Sequence, residues 1–391
     1  MSDTVKIDPS ALGTGGQTGT GFNRTVSMTS HGFGSADNRT RVPDRNETTV
    51  SGPKKDIEDF VSGVDINPYI SLNLDVSSTL ESTLDDVSGK YAMLTEFAQG
   101  GTATLSIARD RNLRRLVAVK SLKKDAENLP ELLKSFVTEA KVTAQLDHPG
   151  IIPIYGLSRD EDNGIHLVMK LVDGKTLREY LRNIVMNYRV RGVDAFDPTV
   201  QLRKRLEIFL HVCDTIAYAH HRSVIHRDLK PENIMIGKYR EVYVMDWGLA
   251  AVVSNDDPRS AEHNISGTPR YFAPEVLREE PLDPRSDIFT LGLILQEVVT
   301  LQYAVNGNDE VEFLDHIMKG KLEPIVHRFG RKIDKTLQTI IRKATAYDMK
   351  ERYQTADDLA EDLRRYMGGF AVSAEPENIW DKFTRMFFGR R

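Results

Sequence analysis

The segment "VIHRDLKPENIM", Val224 to Met235, packs a carboxylate (Asp228), an ammonium (Lys230) and a side-chain amide (Asn233) into six residues. Pro231 discourages the helix that would splay them around a cylinder, so the three groups stay on one short loop. Thirteen residues after Asn233, the apolar run "VYVM" ends in Asp246, and Gly248 follows where the chain is expected to turn. An amide oxygen and a carboxylate converging on one point are hard donors suited to Mg2+, with Mn2+ as the alternative. Such an ion keeps waters and phosphate oxygens in its shell, so phosphate chemistry is the natural expectation.

Other residues with chemical potential lie upstream, on elements that must hold them. "VAVK" carries Lys120 at the end of the β-compatible run "RLVAVKSL", which follows "YAMLTEF" and "ATLSIARD" in an antiparallel series. "LPELLKSFVTEAKVTAQL" reads as an amphipathic helix opened by Pro130, with Leu133, Phe136, Val137, Ala140, Thr143 and Ala144 on one face and Glu139 within it. "IIPIYGLSRD" and "IHLVMKLV" restore strands, and helical patterns dominate from Leu177 to about Tyr366. Laying the phosphate-loop frame G-x-G-x-x-G-x-V on Ala98 to Leu105 keeps Gly100, with Gly101 beside it, but puts Ala98 and Ala103 at the other glycine positions. Alanine there costs little at negative φ and about 1 kcal/mol where positive φ is required. The expectation is a stiffened but working lid, with nucleotide binding weaker than in Ala103→Gly.

Composition narrows the field. At 391 residues the chain is long enough for a large core, and a net charge of -5 with scattered basic residues gives no polyanion-binding surface, so nucleic acid is not an expected partner. Cys213 is the only cysteine; it sits in "EIFLHVCDTIAYAH" on a face with Leu206, Phe209, Leu210, Ile216 and Ala217, which suits a packed thiol in a reducing cytoplasm. The start "MSDTVKIDPS" has no apolar h-region and no long apolar run follows, so neither secretion nor membrane spanning is expected. Residues 1–55, rich in Ser, Thr, Gly and Asn, read as a disordered tail. Residues 56–90 read as an extended strap or linker, 91–366 as a domain of two unequal lobes (91–171 β-rich, 172–366 mainly helical), and 367–391 as a basic amphipathic segment.

These motifs, in this order over Tyr91 to about Tyr366, resemble those of the eukaryotic-like serine/threonine protein kinases, most closely the bacterial members. The resemblance implies the α+β bilobal kinase fold and transfer of the γ-phosphoryl of ATP to Ser or Thr hydroxyls of protein substrates. It implies Asp228 as catalytic base, Lys230 steadying the phosphoryl group, and Asn233 and Asp246 as metal ligands, with Trp247 replacing the usual Phe. Lys120 would hold the α and β phosphates and pair with Glu139. Phe97, Ala98, Gln99, Gly100, Gly101, Thr102, Ala103, Thr104 and Leu105 would form the lid over the nucleotide. Ala118 would lie against the adenine, Met169 behind it and Met235 below it, with the backbone of Lys170, Leu171 and Val172 on its edge.

"SGTPRYFAPEV" resembles the family's peptide platform, with Thr268 reaching Asp228 and Lys230, and Glu275 pairing with Arg352. Asp287 would brace the catalytic loop. Lys230 together with Thr268 is the Ser/Thr pattern. Arg227 beside Asp228 suggests control by activation-loop phosphorylation, with Ser254, Ser260 and Ser266 as candidate phosphosites, or with Asp256, Asp257 or Glu262 supplying the charge instead. In "NIWDKFTRMFFGRR" the aromatic residues Trp380, Phe383 and Phe387 alternate with basic ones. Packing on the large lobe or in a homodimer is the favoured expectation for 378–391 over contact with a membrane surface. The competing class is a pseudokinase scaffold, motivated by Ala98 and Ala103; the presence of Lys120, Glu139, Asp228, Asn233 and Asp246 weighs against it.

Overall fold

The computed structural model describes residues 85–86, 90–99, 102–123, 129–159, 164–192, 197–253, 267–281 and 283–375. A two-residue strand, Asp85–Asp86 (β1), precedes Tyr91–Gln99 (β2), Ala103–Asp110 (β3) and Arg115–Leu122 (β4). β2, β3 and β4 pair antiparallel, with Ala98 opposite Leu105 and Leu105 opposite Lys120. The unbroken "VAV" of β4 is buried on both faces: Val117 and Val119 pack with Ala108 and Val168, while Ala118 packs beneath the next helix. That helix, Pro130–Gln145 (α1), starts with proline at its first turn and buries Phe136, Val137, Ala140 and Val142. Ala144 is exposed, so its apolar face is rotated towards Val142 from the one read in the sequence.

Ile154–Arg159 (β5) and Ile165–Lys170 (β6) complete a sheet of order β1-β5-β6-β4-β3-β2. β1 runs parallel to β5, Asp85 opposite Ser158, so the end of the expected strap is an edge strand of the sheet. The helical lobe follows through Gly174–Thr176 (β7), Leu177–Arg191 (α2) and Pro198–His221 (α3). Thr176 and Glu179 form a capping box that fixes the start of α2. Gly174 is required by close approach, because a Cβ there would lie 2.3 Å from the Ile236 carbonyl oxygen.

Val224–Ile225 (β8), Ile234–Gly237 (β9), Val242–Val244 (β10) and Ala251–Val252 (β11) form two small sheets, β10-β9-β7 and β11-β8, which carry the loops of the site. Helices Pro274–Leu277 (α4), Pro284–Thr300 (α5), Glu310–Met318 (α6), Lys335–Ala344 (α7) and Ala356–Met367 (α8) complete the lobe. α5 is buried on every side from Ser286 to Thr300, its apolar residues in the core and its buried Asp287 and Glu297 hydrogen-bonded, and serves as the post of this lobe. Against it α3 buries Leu206, Phe209, Cys213, Ile216 and Ala217, with Leu210 half-buried.

The folded body continues past Tyr366. Val372 joins the core, and the buried Asp362 accepts from Ser373 N at 2.6 Å, Ala374 N at 2.9 Å and Tyr353 OH at 2.8 Å. This short irregular tie has no periodicity, so it could not be read from pattern. The expected tail and residues 376–391, with Trp380, Phe383 and Phe387, lie outside the described residues. Among the described residues no helix is long and apolar enough to cross a membrane.

Candidate active site

The loop after β8 is pinned from below. Asp287, on the first turn of α5, accepts from His226 N at 2.8 Å and Arg227 N at 3.1 Å, and bonds His220 Nε2 at 2.9 Å. Burial alone would raise its pKa, but His220 and His226 outweigh that and hold the carboxyl below its usual range. His226 accepts from Asp228 N at Nδ1 and donates from Nε2 to the Met245 carbonyl at 3.0 Å, linking the two loops. Trp247 is fully buried, donates from Nε1 to Val244 O at 3.2 Å, and sits 4.5 Å from the His226 ring. It therefore fills the packing role its aromatic type suggested.

The Asp228 carboxylate faces four donors. Oδ2 accepts from Lys230 Nζ at 2.7 Å and Asn233 Nδ2 at 3.2 Å; Oδ1 accepts from Thr268 N at 3.0 Å and Thr268 Oγ1 at 2.9 Å. Lys230 Nζ also donates to Thr268 Oγ1 at 2.9 Å, so the loop and the segment forty residues downstream make one network. These donors fix the rotamer of the carboxylate. Asn233 Nδ2 further donates to Asp228 O at 2.9 Å, so its amide nitrogen is turned inward and its oxygen is the group left for a ligand.

Across the cleft Lys120 Nζ donates to Glu139 Oε2 at 2.5 Å, joining β4 to α1. Burial pushes the Glu139 carboxyl up, and the nearby Lys120 only partly counters it. Asp246 holds a positive φ of 64°, a conformation uncommon for aspartate and a recurrent mark of functional sites. Gly248 does not have positive φ. Its requirement is space, since a Cβ would lie 2.9 Å from Ser135 Oγ, which donates to Gly248 O at 2.9 Å and ties this loop to α1. The chain does turn here, as expected, with Ala250 N donating to Trp247 O at 3.0 Å across Gly248 and Leu249.

The cleft between sheet and helical body brings together Lys120, Glu139, Asn233 and Asp246 with an apolar lining of Phe97, Leu105, Ala118, Met169, Leu171, Val172 and Met235. Lys170 is at its rim, where Nζ donates to Tyr243 OH at 2.5 Å, a bond that raises the Lys170 pKa. Thr143, Ile152, Ile154, Thr176, Glu232 and Met245 also line it and were not singled out from sequence. Of the expected lid residues, Ala98, Gln99, Thr102, Ala103 and Thr104 do not line the cleft. Strand alternation turns Thr104 and its partner Gln99 away from the face of Leu105, and the alanines offer only a methyl group. Neither Ala98 nor Ala103 has positive φ, so the strain that would have weakened binding is absent. Gly100 and Gly101, like Ser254, Ser260 and Ser266, fall outside the described residues.

Beyond Thr268, Glu275 and Arg352 form a bidentate buried pair at 2.7 and 2.8 Å that anchors α4. A second buried network went unread in the sequence. Arg178, on the first turn of α2, donates to Glu232 Oε1 at 2.8 Å, Glu297 Oε2 at 2.8 Å and the Tyr271 hydroxyl. Tyr271 in turn donates to Glu297 Oε1 at 2.9 Å. The loop of Asp228, the platform and the post helix are thus locked together by one guanidinium.

The family description "Protein kinase domain" matches residues 91–363, well over half of the chain. The chain belongs to the protein kinase family. Among curated proteins, the kinase domain is similar to serine/threonine-protein kinase PknD of Protochlamydia amoebophila, 31% identical over 74% of this chain and 32% of that protein. It is also similar to serine/threonine-protein kinase PrkC of Bacillus subtilis, 33% identical over 71% of this chain and 40% of PrkC. A third similarity is to serine/threonine-protein kinase PknB of Mycobacterium leprae, 31% identical over 74% and 44% respectively. The chain therefore spans about a third to under half of the length of these relatives. As in any kinase domain, a sheet-rich lobe and a helical lobe enclose the cleft, and the groups just described stand on its two sides.

Proposed function

We propose that the chain is an active serine/threonine protein kinase that moves the γ-phosphoryl of ATP to a protein hydroxyl. The observation that carries this is the four-donor cradle of Asp228, one of whose donors, Asn233, lines a cleft together with Asp246 and the Lys120–Glu139 pair. An acceptor hydroxyl reaching Asp228 meets a carboxylate whose four lone-pair sites are all in use. It must displace the longest bond, that from Asn233 Nδ2 at 3.2 Å. Asn233 keeps its bond to the Asp228 carbonyl with its oxygen still turned out for a cation, while Lys230 stays on Oδ2 and supplies positive charge beside the group in transfer. Asp228 takes the hydroxyl proton as the acceptor oxygen bonds the γ phosphorus and the bond from that phosphorus to the β–γ bridging oxygen breaks, releasing ADP.

The donors present fit Mg2+. Asn233 and Asp246 offer hard oxygens, and among the described residues no cluster of three or more His, Cys, Asp or Glu could cage an ion. Two protein ligands completed by phosphate and water are what this ion accepts. When bound it would neutralise phosphate charge; Lys120, held by Glu139, orients the phosphates, and Met169 and Met235 enclose the apolar ring. Thr268, bonded to both Asp228 and Lys230, favours Ser or Thr acceptors by the family pattern, and the single buried thiol suits a reducing cytoplasm.

The test is incubation of the full chain with Mg2+, labelled ATP and a generic protein substrate, beside Asp228→Asn. Transfer is expected to fall by roughly 10²–10⁴ in the variant with nucleotide binding kept. Nucleotide binding without transfer in the unmutated chain would refute the reading in favour of a scaffold.

A further inference from the structure

A second cavity, of about 310 Å³, lies between α2 and the end of α5. Its walls are basic and apolar: Arg182, Arg189 and Arg328 with Val185, Met186 and Tyr303. Arg178, Arg182, Val185 and Arg189 recur at i, i+4, i+7 and i+11, so α2 turns one continuous face to this cavity. Arg182, Arg189 and Arg328 are exposed, and none has an acidic partner among the described residues. The only acid in the lining, Glu297, already gives one oxygen to Arg178 and the other to Tyr271. The cavity therefore has surplus positive charge and no internal counter-charge.

Its position relates it to phosphoryl transfer. Arg178 lines this cavity and holds Glu232, and Glu232 lines the nucleotide cleft two residues from Lys230. One ion pair is thus the partition between the two spaces. Arg178 has a second effect: by neutralising Glu232 and Glu297, it fills the acidic spot beside the catalytic loop that would otherwise attract a basic residue of a passing polypeptide.

We infer that this arginine-lined cavity is a docking site for acidic residues flanking the phosphoacceptor of the protein substrate, so that the enzyme selects acidic over basic segments. The occupant follows from charge complementarity and from the shared partition, which puts the cavity within reach of a chain whose hydroxyl lies at Asp228. The inference rests on the kinase reading above.

The test pairs binding with transfer. A labelled peptide with one serine between two runs of glutamate, and its glutamine counterpart, are titrated into the full chain and into Arg182→Glu/Arg189→Glu. The same peptides are then assayed for phosphorylation. Both substitutions lie on the exposed face of α2, outside the machinery around Asp228, so transfer to the glutamine peptide should be unchanged. The glutamate peptide is expected to bind roughly tenfold tighter than its counterpart at low salt, with the gain in KM rather than kcat, and to lose it in the double variant and at high salt. Binding that follows the arginines without transfer would uphold the site and sink the kinase reading. Phosphorylation and binding of both peptides alike, or a preference untouched by the double variant, would overturn the site.

Discussion

Removing Arg352 should be among the most damaging single changes outside the cleft. Its guanidinium is fully buried and all five of its N–H donors are engaged. Nε donates to Ala346 O at 2.6 Å; the other two nitrogens reach Glu275 at 2.7 and 2.8 Å, Arg285 O at 3.0 Å and Tyr347 O at 3.1 Å. Arg352→Ala leaves a carboxylate with a side chain 1% exposed and three carbonyls without these donors. Breaking a buried pair in this way costs about 3–5 kcal/mol, a large part of the roughly 5–15 kcal/mol that holds a domain together. With a urea m-value near the upper end of about 1–3 kcal/mol/M, the unfolding midpoint should fall by about 1 M or more. Adding Glu275→Leu to Arg352→Met removes the stranded charge, so the double variant should recover about half of the loss. A midpoint shift under roughly 0.3 M for Arg352→Ala, or a double variant worse than the sum of its parts, would show that this pair does not carry the assigned energy.

Three further outcomes follow from the same reasoning. Asp287 has a folded pKa below its ordinary 3.8, so its contribution is complete above that value and is lost as pH falls through the lower folded one. Asp287→Asn should cost about 2–3 kcal/mol near pH 7, with the gap to the parent narrowing below about pH 4 in paired denaturant titrations. Glu139 runs the other way: burial lifts it above 4.5, so its ionised form lowers stability near neutrality, a penalty relieved as pH falls through the raised value. Glu139→Gln should leave the unfolding midpoint unchanged or higher while transfer drops roughly 10²-fold; parallel losses in both would contradict the assignment. Ala103 lies in β3 without positive φ, so Ala103→Gly should loosen the hairpin by about 0.5–1 kcal/mol and leave nucleotide affinity no better, as read by calorimetric titration. A tighter complex would mean that the methyl does impede the ligand.

What the sequence made legible was whatever short spacing could encode. Asp228, Lys230 and Asn233 are within one loop, and the order of Lys120, Glu139 and Asp246 reproduces a known frame, so their convergence could be stated in advance. Arg178 could not. In "LREYLRN" it looks like any helical surface cation, and its burial depends on Glu232 and Glu297, the latter 119 residues away. Backbone conformation was equally hidden: the glycine frame raised strain at Ala98 and Ala103, whereas in the two loops of the site positive φ falls on Arg227 and Asp246, and Gly248 is needed for room beside Ser135. Packing against α1 decides that, and packing is not a local property of the sequence. The tie from Val372 to Glu375 escaped for the same reason, since it is made by three bonds to a single buried aspartate.

The thiol of Cys213 has a use unrelated to catalysis. It is the only sulfhydryl in the chain, it has no exposed surface within α3, and burial pushes its pKa well above that of a free cysteine. A thiol-directed dye added under native conditions can react only when α3 leaves the core. Its rate of uptake therefore counts openings of the helical lobe, not visits of solvent to the surface. Comparing that rate with and without nucleotide would show how far a ligand in the cleft slows the breathing of the helices beneath it, so the protein carries its own stopwatch.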